Sequence, residues 1–125
     1  MLSLRCLSFA SKWLGIQIAV EFTILPRTPL PQIGRFDLVT AYRCQFNRNR
    51  DAKRLWNLNE WAFFLDDLRD HVLKPKGRFV INLSEQGRKG RQGLRRDDPE
   101  LRRFLAERGA REFKKADMLM FDPLT

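Results

Sequence analysis

"RFDLVTAYRCQFNR" spans Arg35 to Arg48. Leu38, Val39 and Ala41 make an apolar run that turns abruptly polar and basic at Tyr42, Arg43, Cys44 and Asn47. Phe36 to Ala41 is apolar on both faces of a period-two pattern, which predicts a strand in the middle of a sheet. A central strand that ends in polar side chains delivers them to one end of the sheet, and the carboxyl ends of strands are where open α/β folds hold ligands.

Downstream, "CQFNRNRDAKR" is polar and cationic, a loop or the frayed start of a helix. From Trp56 the pattern is helical. Trp61, Phe64, Leu65, Leu68 and Val72 recur on one face while Asp66, Asp67, Arg69 and Asp70 face away. Pro75 is expected to end this helix and Gly77 to permit a turn. "RFVINLS" follows as a nearly continuous apolar strand, then a Gly-rich basic stretch from Ser84 to Arg96. "DDPELRRFLAERG" has helix punctuation at both ends: Asp98 to cap, Pro99 in the first turn, Gly109 to stop. Leu101, Phe104 and Leu105 form its buried face, and a last strand is expected around Met118 to Phe121.

Upstream, "LPRTPLP" is a rigid extended loop. Ile18, Val20, Phe22 and Ile24 alternate with smaller or polar residues as in a strand, and residues 2 to 14 read as a short amphipathic helix stopped by Gly15. Strands alternating with helices predict one α/β domain over residues 1–125 with a mainly parallel sheet.

"RFDLVTAY" followed by "EWAFFLDDLRDHVLKPKGRFVINL" resembles the C-terminal half of class I S-adenosylmethionine-dependent methyltransferases. In that family an "FDLV" stretch opens the fourth strand, and a helix followed by a leucine-x-proline-glycine-glycine turn leads into the fifth. "PLPQIG" supplies the Leu-Pro element that often precedes the fourth strand. The likeness covers roughly residues 16 to 84. It implies a partial doubly wound, mainly parallel sheet, Rossmann-like, without the N-terminal strands of the complete domain. It further implies that S-adenosylmethionine is the cofactor, with Thr40, Ala41 and Tyr42 along the wall beside its methionine part. Arg43, Asn47 and Asn82 are then the substrate-side candidates, with Arg48 in the same loop. Methyl transfer from a sulfonium relies mainly on positioning, so no catalytic base is assigned and the methyl acceptor stays open.

Two departures from the family pattern matter. Its turn reads Pro75-Lys76-Gly77 here, which puts a lysine where positive φ is common, at a cost of about 1 kcal/mol. No glycine-rich loop follows a first strand and no acid ends a second one, and these are the elements that hold a nucleotide cofactor's charged part and ribose. The slot where relatives keep an acid near the adenine falls at Pro26, and Glu21 comes too early. The expectation is a truncated domain, a degenerate remnant or one half of a split enzyme, with self-association or a complementing half-domain as its partner.

Composition supplies the competing reading. Lys and Arg number 24 against 15 Asp and Glu, a formal charge of +9. A small basic α/β module that contacts nucleic acid is the alternative function, and "GRKGRQGLRR" is its candidate arm, although it has no aromatic residue to stack a base. Its simpler reading is a solvated loop. Cys6, Cys44 and the single histidine, His71, are too few for a structural zinc site. Cys44 reads as a small buried thiol, Trp61 as core, Trp56 as a shield at the pocket mouth, and His71 as a favourable charge at a helix end. Lys12 interrupts the apolar N-terminal stretch and no run reaches the roughly 18 apolar residues of a membrane span. A cytoplasmic protein is expected.

Overall fold

In a computed structural model of the chain, residues 2–4, 23–44, 46–83, 92–113 and 118–125 are described. The quoted stretch forms strand β2 (Phe36–Cys44), with β1 (Leu2–Leu4) on one side and β5 (Leu73–Leu83) on the other. A two-stranded ladder, β3 (Arg48–Asn49) with β4 (Arg54–Leu55), and helix α1 (Leu58–Asp67) lie between β2 and β5 in sequence. Helix α2 (Pro99–Glu107) and strands β6 (Ala110–Phe113) and β7 (Met118–Phe121) follow.

The main sheet has the order β1-β2-β5-β7-β6. β1 and β5 both run parallel to β2, whereas β7 runs antiparallel to β5 and to β6. The sheet is therefore mixed, and the expected doubly wound, mainly parallel architecture is not what forms. The reason is chain length. Only four residues separate Phe113 from Met118, and a parallel crossover needs a dozen or more. The segment can only turn back on itself, and β7 then inserts beside β5.

Winding departs from expectation as well. Among the described residues, the steps from β2 to β5 and from β5 to β6 go the same way across the sheet. Right-handed crossovers that step one way put their helices on one face. In register, Val39 lies beside Phe79 and Ala41 beside Ile81, and these residues point to that face, with Phe121 and Leu119 next in line. Phe64 of α1 meets Phe79 at a ring distance of 6.1 Å, and Phe79 stacks on Phe121 at 5.5 Å. Leu101 and Leu105 of α2 complete the same core. The alternate residues, Leu38, Thr40, Val80 and Met120, are only half-buried.

Residues 2–4 belong to a strand, not to the start of the expected helix; residues 5–14 of that helix and residues 18–22 of the expected strand lie outside the described residues. Thr23 and Ile24 are irregular, and the proline-rich loop that follows carries no regular structure, as its prolines predict. It is tied to α1 by the Leu30 amide, which donates to Asp67 Oδ2 at 2.7 Å. Arg108, just past α2, donates to Asp66 Oδ1 at 2.6 Å and so joins the two helices.

The α1 helix ends in a wide π-turn over Leu68–Val72, closed by the Leu73 amide on the Leu68 carbonyl. β5 then begins at once, with Pro75, Lys76 and Gly77 inside it. Its register against β2 jumps there, from Phe36 opposite Leu73 to Leu38 opposite Arg78. Lys76 takes φ 63°, the left-handed conformation expected at this turn. Lys76→Asn suits that backbone better and is expected to raise the free energy of unfolding by up to about 1 kcal/mol. A urea midpoint unchanged or lowered in that variant counts against strain at this residue.

Candidate functional site

β2 and β5 are adjacent parallel strands, and Tyr42 lies in register with Asn82 near their carboxyl ends. Thr40 pairs with Val80 and Ala41 with Ile81 one step before. Thr40 is half-buried, Ala41 is buried, and Asn82 is 8% exposed. The structure thus aligns the cofactor-side candidates with one substrate-side candidate. The side chains of Tyr42, Arg43 and Cys44 lie outside those described, so the readings of Arg43 as a substrate contact and Cys44 as a buried thiol have no side-chain counterpart.

Asn47 is fully buried in the segment that leads into β3, where its carbonyl accepts from the Trp56 amide at 2.9 Å. Phe46 beside it packs on Trp56, Trp61 and Phe64 at ring distances of 5.5, 5.8 and 4.9 Å. Trp56 and Trp61 meet edge to face at 5.5 Å. Both are fully buried; Trp61 is core, as its place on the helix stripe predicts, while Trp56 is core as well and shields no open mouth. Arg48 Nε and both indole N–H groups are buried without an acceptor among the described residues. His71 is exposed, with Nδ1 3.1 Å from Asp67 Oδ1 one turn before it.

The first turn of α1 is organised by Glu60. Asn57 caps the helix by accepting from the Glu60 amide at 3.0 Å, and the Glu60 carboxylate accepts from the Asn57 amide at 3.0 Å, a reciprocal capping box. The same carboxylate takes two bonds from the Arg54 guanidinium, at 2.7 and 3.1 Å, and one from Asn49 Nδ2 at 2.8 Å. Burial pushes this carboxyl up, but the bonds from Arg54, the Asn57 backbone and Asn49 outweigh it and hold the group below its ordinary value. Glu60 therefore clamps the β3–β4 hairpin to the helix. The Asn-x-x-Glu spacing was the sequence signal for this clamp, and periodicity alone passes over it.

The stretch expected as a loop or frayed helix start is that hairpin. Asn49 Oδ1 accepts from the Ala52 amide at 3.0 Å, and the Lys53 amide closes onto the Arg50 carbonyl at 3.2 Å. Nor is the end of the basic Gly-rich stretch a free arm. The Leu55 amide donates to the Gln92 carbonyl at 2.9 Å, and the Leu94 amide donates to the Trp56 carbonyl at 3.1 Å. Residues 84–91, the rest of that stretch and the first half of the candidate arm, lie outside the described residues.

No family model, curated protein or solved structure matches this chain. Among the described residues no group of three or more His, Cys, Asp and Glu side chains is placed to hold a metal ion, and no helix is long and apolar enough to cross a membrane. The chemistry to be read is therefore that of the residues themselves: an amide side chain at the end of a parallel strand pair, and an aromatic cluster with buried donors just beyond it.

Proposed function

We propose that the chain is a methyltransferase-like protein that binds S-adenosylmethionine at the carboxyl ends of β2 and β5. The observation that carries this reading is the parallel β2–α1–β5 unit, with Tyr42 and Asn82 side by side at its ligand end. The resemblance assigns "FDLV" and "RFVINL" to successive strands, and the parallel pairing of β2 with β5 supports the reading. A crossover helix runs back against its strands, so the first turn of α1 lies toward the same end.

Thr40, Ala41 and Tyr42 form the cofactor wall, and Asn47 and Asn82 orient the methyl acceptor through amide groups that both donate and accept. The resemblance adds Arg43 to the substrate-side candidates. Because the sulfonium is already activated, holding the acceptor in line with the methyl group is the main task of such a pocket. The described residues supply one wall, and a second copy of the chain supplies the other.

Calorimetric titration with S-adenosylmethionine at low and moderate salt tests this. Micromolar binding is expected, weakened roughly 10-fold in Asn82→Asp, which keeps the side-chain shape. Absence of heat with a folded chain overturns the reading. Affinity for a single-stranded oligonucleotide that falls steeply with salt, without cofactor binding, replaces it with the basic nucleic-acid module.

A further inference from the structure

We propose a second site at the opposite end of the sheet: a cavity at the amino end of β5 that takes a phosphate group, with Lys76 as its main ligand. This open cavity has a volume of about 210 Å³ and is lined by Arg35, Arg69, Lys74 and Lys76 together with Leu73 and Pro123. It owes nothing to the carboxyl-end site and stands whether or not that site binds a cofactor.

Three of the four cations are already held in place. Arg69 grips Asp70 with two bonds, at 2.8 and 3.1 Å, and lies 3.3 Å from Asp66. Lys74 lies 3.3 Å from Asp37. Arg35 donates to the carbonyls of Leu73 and Asp70, at 3.1 and 2.5 Å, where the π-turn ends. These bonds fix its guanidinium without consuming its charge, and a guanidinium has five N–H donors to share.

Lys76 differs from all three. It is exposed, it makes no ion pair among the described residues, and its backbone is left-handed at φ 63°. Strain of this kind gathers at ligand clamps, where the surrounding structure holds it. Here the support is close packing: a Cβ on Gly77 would sit 2.8 Å from the Lys74 carbonyl oxygen and 3.1 Å from that of Phe36. The wide π-turn, a feature frequent at functional sites, forms the adjoining wall through Arg69. Lys76 and Arg35 together are a point charge and a planar fork, the pair that phosphate oxygens accept from readily.

Size sets the ligand class. The cavity falls below the roughly 300 Å³ at which sites for drug-sized molecules begin, so it fits inorganic phosphate, pyrophosphate or a single phosphate ester and not a whole nucleotide. The overall charge of +9 favours the approach of any such anion.

Titration of the full chain with inorganic pyrophosphate at low salt tests the assignment. Saturable millimolar or tighter binding is expected, with Lys76→Asn about 10-fold weaker and Lys76→Arg close to the parent. Asn tolerates the left-handed backbone, so the charge is removed without disturbing the fold. Arg103→Gln, an exposed cation on α2, is expected to leave binding unchanged. No binding by the parent chain, or equal losses in Lys76→Asn and Arg103→Gln, overturns the proposal. A short oligonucleotide that competes with pyrophosphate identifies a nucleic-acid backbone as the source of the phosphate; one that does not compete identifies a free anion.

Discussion

Gly93→Ala is expected to lower the stability of the chain by about 3 kcal/mol, the sum of backbone strain and overpacking. Gly93 has φ 91°, and a Cβ there would lie 2.1 Å from the Leu55 carbonyl oxygen and 2.5 Å from the Leu55 carbonyl carbon. Both obstacles are backbone, so no side chain can swing aside. The strand-like bonds of Gln92 and Leu94 to Leu55 and Trp56 hold the loop against that backbone, and the methyl group must break them or displace Leu55. Leu55 and Trp56 are fully buried, so displacement also loosens the aromatic cluster. For a chain of this size the melting temperature should fall by roughly 10 °C. An unchanged urea midpoint would mean that residues 92–94 contribute nothing to the fold in solution.

Glu60→Ala is expected to cost about 3 kcal/mol, because it leaves the Arg54 guanidinium unpaired and removes half of the capping box. The Glu60 side chain is 4% exposed and that of Arg54 is 23% exposed, so water replaces the lost bonds poorly on the carboxylate side. Glu60→Gln keeps the shape and is expected to lose less. The pair also sets a pH dependence. The folded-state pKa of Glu60 lies below its ordinary value, so the unfolded chain binds more protons in the window between the two. Stability from this group is fully present above the unfolded value of about 4.3 and is lost as pH falls through the folded value. The urea midpoints of the parent and Glu60→Gln should therefore differ at neutral pH and converge as pH falls through the folded value. A gap between them that is constant with pH would assign the loss to packing instead.

Hydrophobic periodicity passes over both residues, although the Asn-x-x-Glu spacing does signal the cap that Glu60 completes. Neither lies on a hydrophobic stripe. Gly93 sits in a basic stretch whose composition suggests a solvated loop, and only the contact with Leu55, 38 positions away, reveals a close approach. Lys76 lies between the two cases: the turn in "KPKG" announced a positive φ, but not the cavity beside it, because Pro123 and Leu124 reach that place from the far end of the chain.

The elements with strong local periodicity were legible without the structure. Phe36 to Ala41 and "RFVINLS" are mainly apolar runs inside β2 and β5, the face of α1 repeats at helical spacing, and α2 has Asp98, Pro99 and Gly109 at its ends. The alignment of Tyr42 with Asn82 depends on the register of β2 against β5, which shifts at both ends of the ladder. What the tertiary structure alone decided is how the strands order and turn. Strand direction depends on loop closure and on which edge is open, and β6, with mostly exposed residues, gives little periodic signal. Burial patterns determine which residues face inward, but the short connection to β7, and its insertion beside β5, make this sheet mixed.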